Sequence, residues 1–125
     1  IHFVNKSFFA ILYVSNNHRN IRILSVPYNI FSQTSSIYLH WPFCPYKCHF
    51  CPFVALASHD QYMDRYHHAL TKEIEKFGDC YQGIRTLQTL FMGGGTPSTY
   101  PPHLLLDTFA TLRRIFSFHE TAEVS

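Results

Sequence analysis

The chain has 125 residues, 46% hydrophobic and 14% charged, enough for one domain with a core of ordinary size and unlike a disordered tail. Its formal net charge is +2 and its basic residues are scattered, with Arg113 and Arg114 the densest pair, which gives no footprint for nucleic acid. The apolar run Phe8 to Val14, preceded by Lys6, is seven residues long and cannot span a bilayer, and Ser15-Asn-Asn-His-Arg after it lacks a small-residue cleavage pattern.

Residues 1–35 read as an N-terminal extension of unclear role and 36–125 as the core. Within the extension, Phe8 to Val14 and Ile21 to Val26 are strand candidates separated by a polar stretch and closed by Pro27. Neither carries spaced acids, a glycine loop or a ligand cluster. Ile37 to Trp41 is the first strand of the core, and Pro42, lacking a backbone donor, stops its ladder. A cysteine-bearing loop follows. Ser58 and Gln61 suggest a capping box, after which Tyr62, Tyr66, Ala69, Leu70, Ile74 and Phe77 recur at helical steps, with Gly78 as the stop. His67 and His68 are placed at the margins of that helix, and Lys72, Glu73, Glu75 and Lys76 on its solvated face. Cys80 stands alone as an incidental thiol.

Leu87 to Met92 predicts a strand that runs directly into Gly93-Gly94-Gly95, a loop without side chains that lets backbone donors and carbonyls approach a ligand closely. The spacing is neither that of a dinucleotide fingerprint nor that of a nucleoside-triphosphate phosphate loop. Thr96 and Ser98 could hydrogen-bond locally, and Pro97 stiffens the exit. Beyond Pro101-Pro102, Leu105, Phe109, Leu112 and Phe116 mark a second helix, with Arg113 and Arg114 at its negative end. Ala122 to Val124 opens a third strand. The order strand, helix, strand, helix, strand predicts an α/β fold with a parallel sheet and crossover helices. Both unusual loops then leave the same edge and can address one ligand.

Cys44, Cys48 and Cys51 are separated by three residues and then two, so one small loop can turn all three sulfurs toward one centre. Cysteine thiolates commonly hold iron-sulfur clusters, and a cubane with three protein ligands keeps one iron open to a small molecule. Zinc is the competing reading: it normally takes four ligands, and His40 and His49 are near enough to supply the fourth. A disulfide framework suits an odd cluster of three poorly unless Cys80 joins it. Clustered thiols also fit a reducing compartment, so a cytoplasmic location is expected.

Cys-x-x-x-Cys-x-x-Cys, preceded by Tyr38-Leu-His-Trp-Pro-Phe and followed by Met92-Gly-Gly-Gly-Thr-Pro-Ser98, resembles the radical S-adenosylmethionine superfamily. Within it the chain resembles the group containing oxygen-independent coproporphyrinogen III oxidase and the HemW haem chaperones. The resemblance covers about residues 36–125. It implies a [4Fe-4S] cluster on Cys44, Cys48 and Cys51, and S-adenosylmethionine bound by Tyr38, by the loop Gly93, Gly94 and Gly95 with Thr96, and by Glu123. It further implies haem or a porphyrinogen as partner, and a one-electron reductant such as flavodoxin or ferredoxin. Trp41 stands where the group usually has an aliphatic residue. At Cys51 the oxidase pattern continues Cys-x-Cys, whereas here Pro52-Phe53 follows: Phe53 resembles the Cys-Asp-Phe of the chaperone-like branch, and Pro52 departs from its aspartate. A HemW-like protein is therefore favoured over a decarboxylating oxidase, and a non-enzymatic zinc-stabilised module remains the third reading. The implied fold is the N-terminal portion of a partial (β/α)6 TIM-like barrel, of which this sequence would supply two strand-helix units and the start of a third. An isolated chain of this extent is expected to be inactive or unstable.

Overall fold

A computed structural model describes residues 12–15, 36–81 and 85–125. Four strands make the main sheet in the order β1-β2-β5-β6. β1 (Leu12–Ser15) runs antiparallel to β2 (Ser36–Trp41), while β2, β5 (Thr86–Gly94) and β6 (Ser117–Val124) are mutually parallel. Two helices supply the crossovers: α1 (Met63–Cys80) precedes β5 and α2 (Pro102–Ile115) precedes β6. The α/β class expected from the sequence is thus present. The described strands form an open sheet, and closure into a barrel is not seen among them. Part of the Phe8 to Val14 candidate falls in β1; the Ile21 to Val26 candidate lies outside the described residues.

The alternation of β2 explains its placement. Ile37, Leu39 and Trp41 are buried, whereas Ser36, Tyr38 and His40 on the other face are partly exposed. α1 delivers Tyr66, Leu70, Ile74 and Phe77 to the same core as Leu87 and Leu90 of β5 and Leu112 of α2. Leu87 and Leu90 are three residues apart yet both buried, a break in the two-residue alternation that coincides with a shift in the β5–β6 register between Leu87 and Thr89.

Both ends of α1 differ from expectation. Ser58 has φ of 58° and does not cap the helix; a 3-10 turn over Asp60–Tyr62 leads in, and the N-cap Tyr62 makes no side-chain cap bond. Gly78 does not stop it either. A Cβ there would lie 2.7 Å from the Ile115 side chain, so the glycine serves the close approach of α1 and α2, and the helix continues to Cys80. β6 likewise begins five residues before Ala122, at Ser117.

The parallel register sets Trp41 beside Gly94, so the last residues of β2 and β5 end together. From this common edge emerge the cysteine loop and the glycine loop. The former is gathered at its base by a short parallel pair, β3 (Phe43–Cys44) with β4 (Leu56–Ala57).

Candidate cluster-binding site

The two loops are joined by backbone hydrogen bonds. The Gly95 amide donates to the Trp41 carbonyl at 2.7 Å and the Thr96 amide to the Phe43 carbonyl at 2.8 Å. These two donors are therefore committed to holding the cysteine loop and not free for a ligand. Glycine is required at this contact. A Cβ on Gly95 would lie 2.5 Å from the Phe43 carbonyl oxygen and 2.9 Å from the Cys44 sulfur; Gly94 has φ of +118° and faces the Trp41 carbonyl as closely. The absence of side chains thus has a packing cause that stands independently of any ligand.

Cys44, Cys48 and Cys51 line one open cavity of about 190 Å³ together with Lys47, Gly95 and Thr96. All four cysteines are free thiols; these three are partly buried and Cys80, the last residue of α1, is exposed. The Thr96 hydroxyl donates to Cys44 Sγ at 3.2 Å. Among the described residues no set of three His, Cys, Asp or Glu side chains converges as ligands of a single metal ion. Zinc ligation by His40 is also disfavoured, since both its ring nitrogens are engaged: Nε2 donates to the Val54 carbonyl at 3.1 Å and Nδ1 accepts from the Tyr38 hydroxyl at 2.9 Å. Burial pushes the Tyr38 phenol above its ordinary value, which keeps it protonated as that donor.

Tyr38 lies beside the glycine loop and not on the thiol cavity. Its ring stacks on Phe91 at 5.7 Å, and a Cβ on Gly93 would come within 3.0 Å of it. Glu123 is not brought to this edge. It pairs with Thr89, five strand positions before Gly94, roughly 16 Å away along a parallel strand. Trp41 is fully buried, stacked on Tyr100 with ring centroids 3.7 Å apart, and donates from Nε1 to the Thr99 hydroxyl at 2.9 Å, so its role is packing beneath the cysteine loop.

Two residues at the site escape a reading of spacing alone. His40 bridges Tyr38 to the return arm of the cysteine loop, and Lys47 donates to the Phe53 carbonyl at 2.7 Å. His67, placed at a helix margin from the sequence, is buried between the helices, contacting the Tyr100 hydroxyl at 2.8 Å and the Asp107 carboxylate at 3.0 Å.

No family model matches the chain. It is similar to the mitochondrial radical S-adenosyl methionine domain-containing protein 1 of Danio rerio, 31% identical over 73% of this chain and 20% of that protein. It is also similar to the heme chaperone HemW of Bacillus subtilis, 34% identical over 64% of this chain and 21% of that protein. Among solved structures, coproporphyrinogen III oxidase (HemN) from Escherichia coli, described as a radical SAM enzyme, aligns with a TM-score of 0.64 and 33% identity over 72% of this chain and 20% of that one. The chain therefore spans about a fifth of the length of the relatives it matches.

Proposed function

On the premise that this chain is a homologue of the HemW and oxygen-independent coproporphyrinogen III oxidase group of radical S-adenosylmethionine proteins, we propose that residues 36–125 form a cluster- and cofactor-binding portion of a haem-related protein of that kind. Residues 1–35 are read as an extension to it. The observation that carries the reading is that Cys44, Cys48 and Cys51 line one open cavity together with Gly95 and Thr96. Cys44, Cys48 and Cys51 would hold a [4Fe-4S] cluster. When bound with S-adenosylmethionine, such a cluster supplies one-electron cleavage of the sulfonium bond, chemistry that belongs to the cofactor. The chain's own residues position and shield: Thr96 donates to a ligand sulfur, Gly93, Gly94 and Gly95 keep the loop narrow, and Tyr38 presents a neutral phenol beside them. Glu123, lower on β6, is retained as a cofactor contact only in this proposal.

Within the group we favour the HemW-like reading, in which the protein binds haem, because Phe53 stands where the oxidase pattern has cysteine. The partly barrel-like (β/α)6 architecture, the one-electron reductant and a reducing, cytoplasmic setting belong to the same proposal. No helix among the described residues is long and apolar enough to cross a membrane.

The test is anaerobic reconstitution with iron and sulfide, followed by metal and sulfide analysis and electron paramagnetic resonance of the reduced protein with and without S-adenosylmethionine. About four irons and four sulfides per chain, lost in C44S, C48S and C51S and kept in C80S, support the site. Zinc without sulfide sinks it. Stoichiometric haem binding without turnover then favours the chaperone, and cofactor-dependent product from coproporphyrinogen the oxidase.

A further inference from the structure

The cysteine loop has little to hold its shape. Tyr46, Phe50, Phe53 and Val54 are all exposed, Phe50 by 88%, so apolar packing does not order it. Its return arm is tied to the end of β2 at two points: the Val54 carbonyl accepts from His40, and the Leu56 amide donates to the Pro42 carbonyl at 2.7 Å. Within the cysteine segment the backbone contributes the turn in which the Cys51 amide donates to the Cys48 carbonyl at 3.2 Å. Lys47 adds a bond of a different kind. From its place just before Cys48 it reaches past Cys51 to the Phe53 carbonyl, so the ring it closes encloses two of the three thiols. Lys47, itself exposed, also lines the thiol cavity, and it is the one Lys, Arg, Asp or Glu between residues 36 and 59.

We propose that Lys47 is a positioning residue: it latches the segment carrying Cys48 and Cys51 to the return arm and sets one fixed positive charge on the wall of the thiol cavity. A charge-assisted bond is stronger than a neutral one; this one is exposed, so water competes for both partners and its loss has a modest effect. A cation at that wall favours the more negative of two redox states of whatever the thiolates hold, because charge and hydrogen bonding around the sulfurs set the potential. The electrostatic half of the proposal rests on the cluster reading above; the latch does not.

The test compares wild type, K47M and K47R in the full chain. In the metal-free proteins, hydrogen exchange of the Leu56 amide, which the return arm donates to the Pro42 carbonyl, is expected to quicken by about two- to fivefold in K47M and to return near wild type in K47R, with α1 and α2 unchanged as the control for folding. After anaerobic reconstitution, the midpoint potential of K47M is expected below that of wild type, with K47R restoring it. Unchanged exchange in K47M, or exchange that K47R does not restore, overturns the latch. An unchanged potential in K47M overturns the electrostatic role. A wild-type chain that takes up no cluster defeats the functional reading and the electrostatic role together, while the exchange result still decides the latch.

Discussion

The Thr96 hydroxyl lies 3.2 Å from the Cys44 sulfur and donates to it, joining the first cysteine of one loop to the first residue beyond the glycines of the other. The contact exists because Trp41 and Gly94 are register partners, so the chain leaves both strands at the same level. A hydrogen bond to a ligand sulfur stabilises its negative charge, which matters most in the reduced state of a cluster. T96V is therefore expected to lower the midpoint potential of a reconstituted cluster and T96S to keep it. Redox titration followed by paramagnetic resonance measures both.

The three glycines differ in what surrounds them, which predicts a rank order. G94A meets the Trp41 carbonyl at a positive φ, and G95A meets the Phe43 and Pro42 carbonyl oxygens, which are backbone and cannot step aside. Each should cost about 1–3 kcal/mol and displace the cysteine loop. G93A meets the outer edges of the Phe91 and Tyr38 rings, which can turn, and Phe91 is half exposed. It should cost least. Urea midpoints and iron uptake for the three variants check the order; equal losses would show that these close approaches are not what selects glycine.

Trp41 joins the core to the cysteine loop through its stack on Tyr100 and its bond to Thr99. W41A leaves a large cavity and is expected to destabilise by about 3–5 kcal/mol. W41F keeps an aromatic ring but loses the indole bond to the Thr99 hydroxyl, which still donates to the Thr96 carbonyl at 2.7 Å, at about 1 kcal/mol. Because Trp41 is the single tryptophan, circular dichroism and not fluorescence must follow the denaturant titration.

Burial, opposed by the hydrogen bond with Thr108 and reinforced by the negative charge of Asp107, pushes the Tyr100 phenol from its ordinary 10.0 to about 12. The folded state thus holds this proton more tightly than the unfolded state. Its contribution is fully present below pH 10 and is lost as pH rises toward 12, so stability should fall across that window by up to about 2 kcal/mol. Y100F removes the titrating group. Its stability should be lower at pH 8, where the contact to His67 is missing, and should fall less between pH 10 and 12. Denaturant midpoints across that range test the sign; a wild-type stability that rises with pH would contradict it.

Much of the frame was legible in the chain because it rests on local periodicity. The alternation of Ile37, Leu39 and Trp41 and the helical recurrence of Tyr66, Leu70, Ile74 and Phe77 each report one buried face, and burial follows them. The helix ends were not legible. Ser58 and Gly78 carry the residue types of caps, but a left-handed turn takes one and the packing of Ile115 takes the other. β6 was legible at its end alone, since Ser117 to Thr121 carries one apolar residue, Phe118, and shows no alternation; pairing of Ser117 and Phe118 with β5 starts the strand there.

At the site, cysteine spacing by itself determined that three thiols share one loop, because three- and two-residue gaps leave no room for separate destinations. Tertiary structure decided the rest. The parallel register of β2 with β5 brings Thr96 to Cys44 and consumes the Gly95 and Thr96 amides, while the pairing of β6 with β5 leaves Glu123 five positions short of that edge. His40 and Lys47 acquire their roles by bonding carbonyls fourteen and six residues away. A backbone carbonyl is present at every position, so no residue type marks which one a side chain will reach. Only the path of the chain in space selects it.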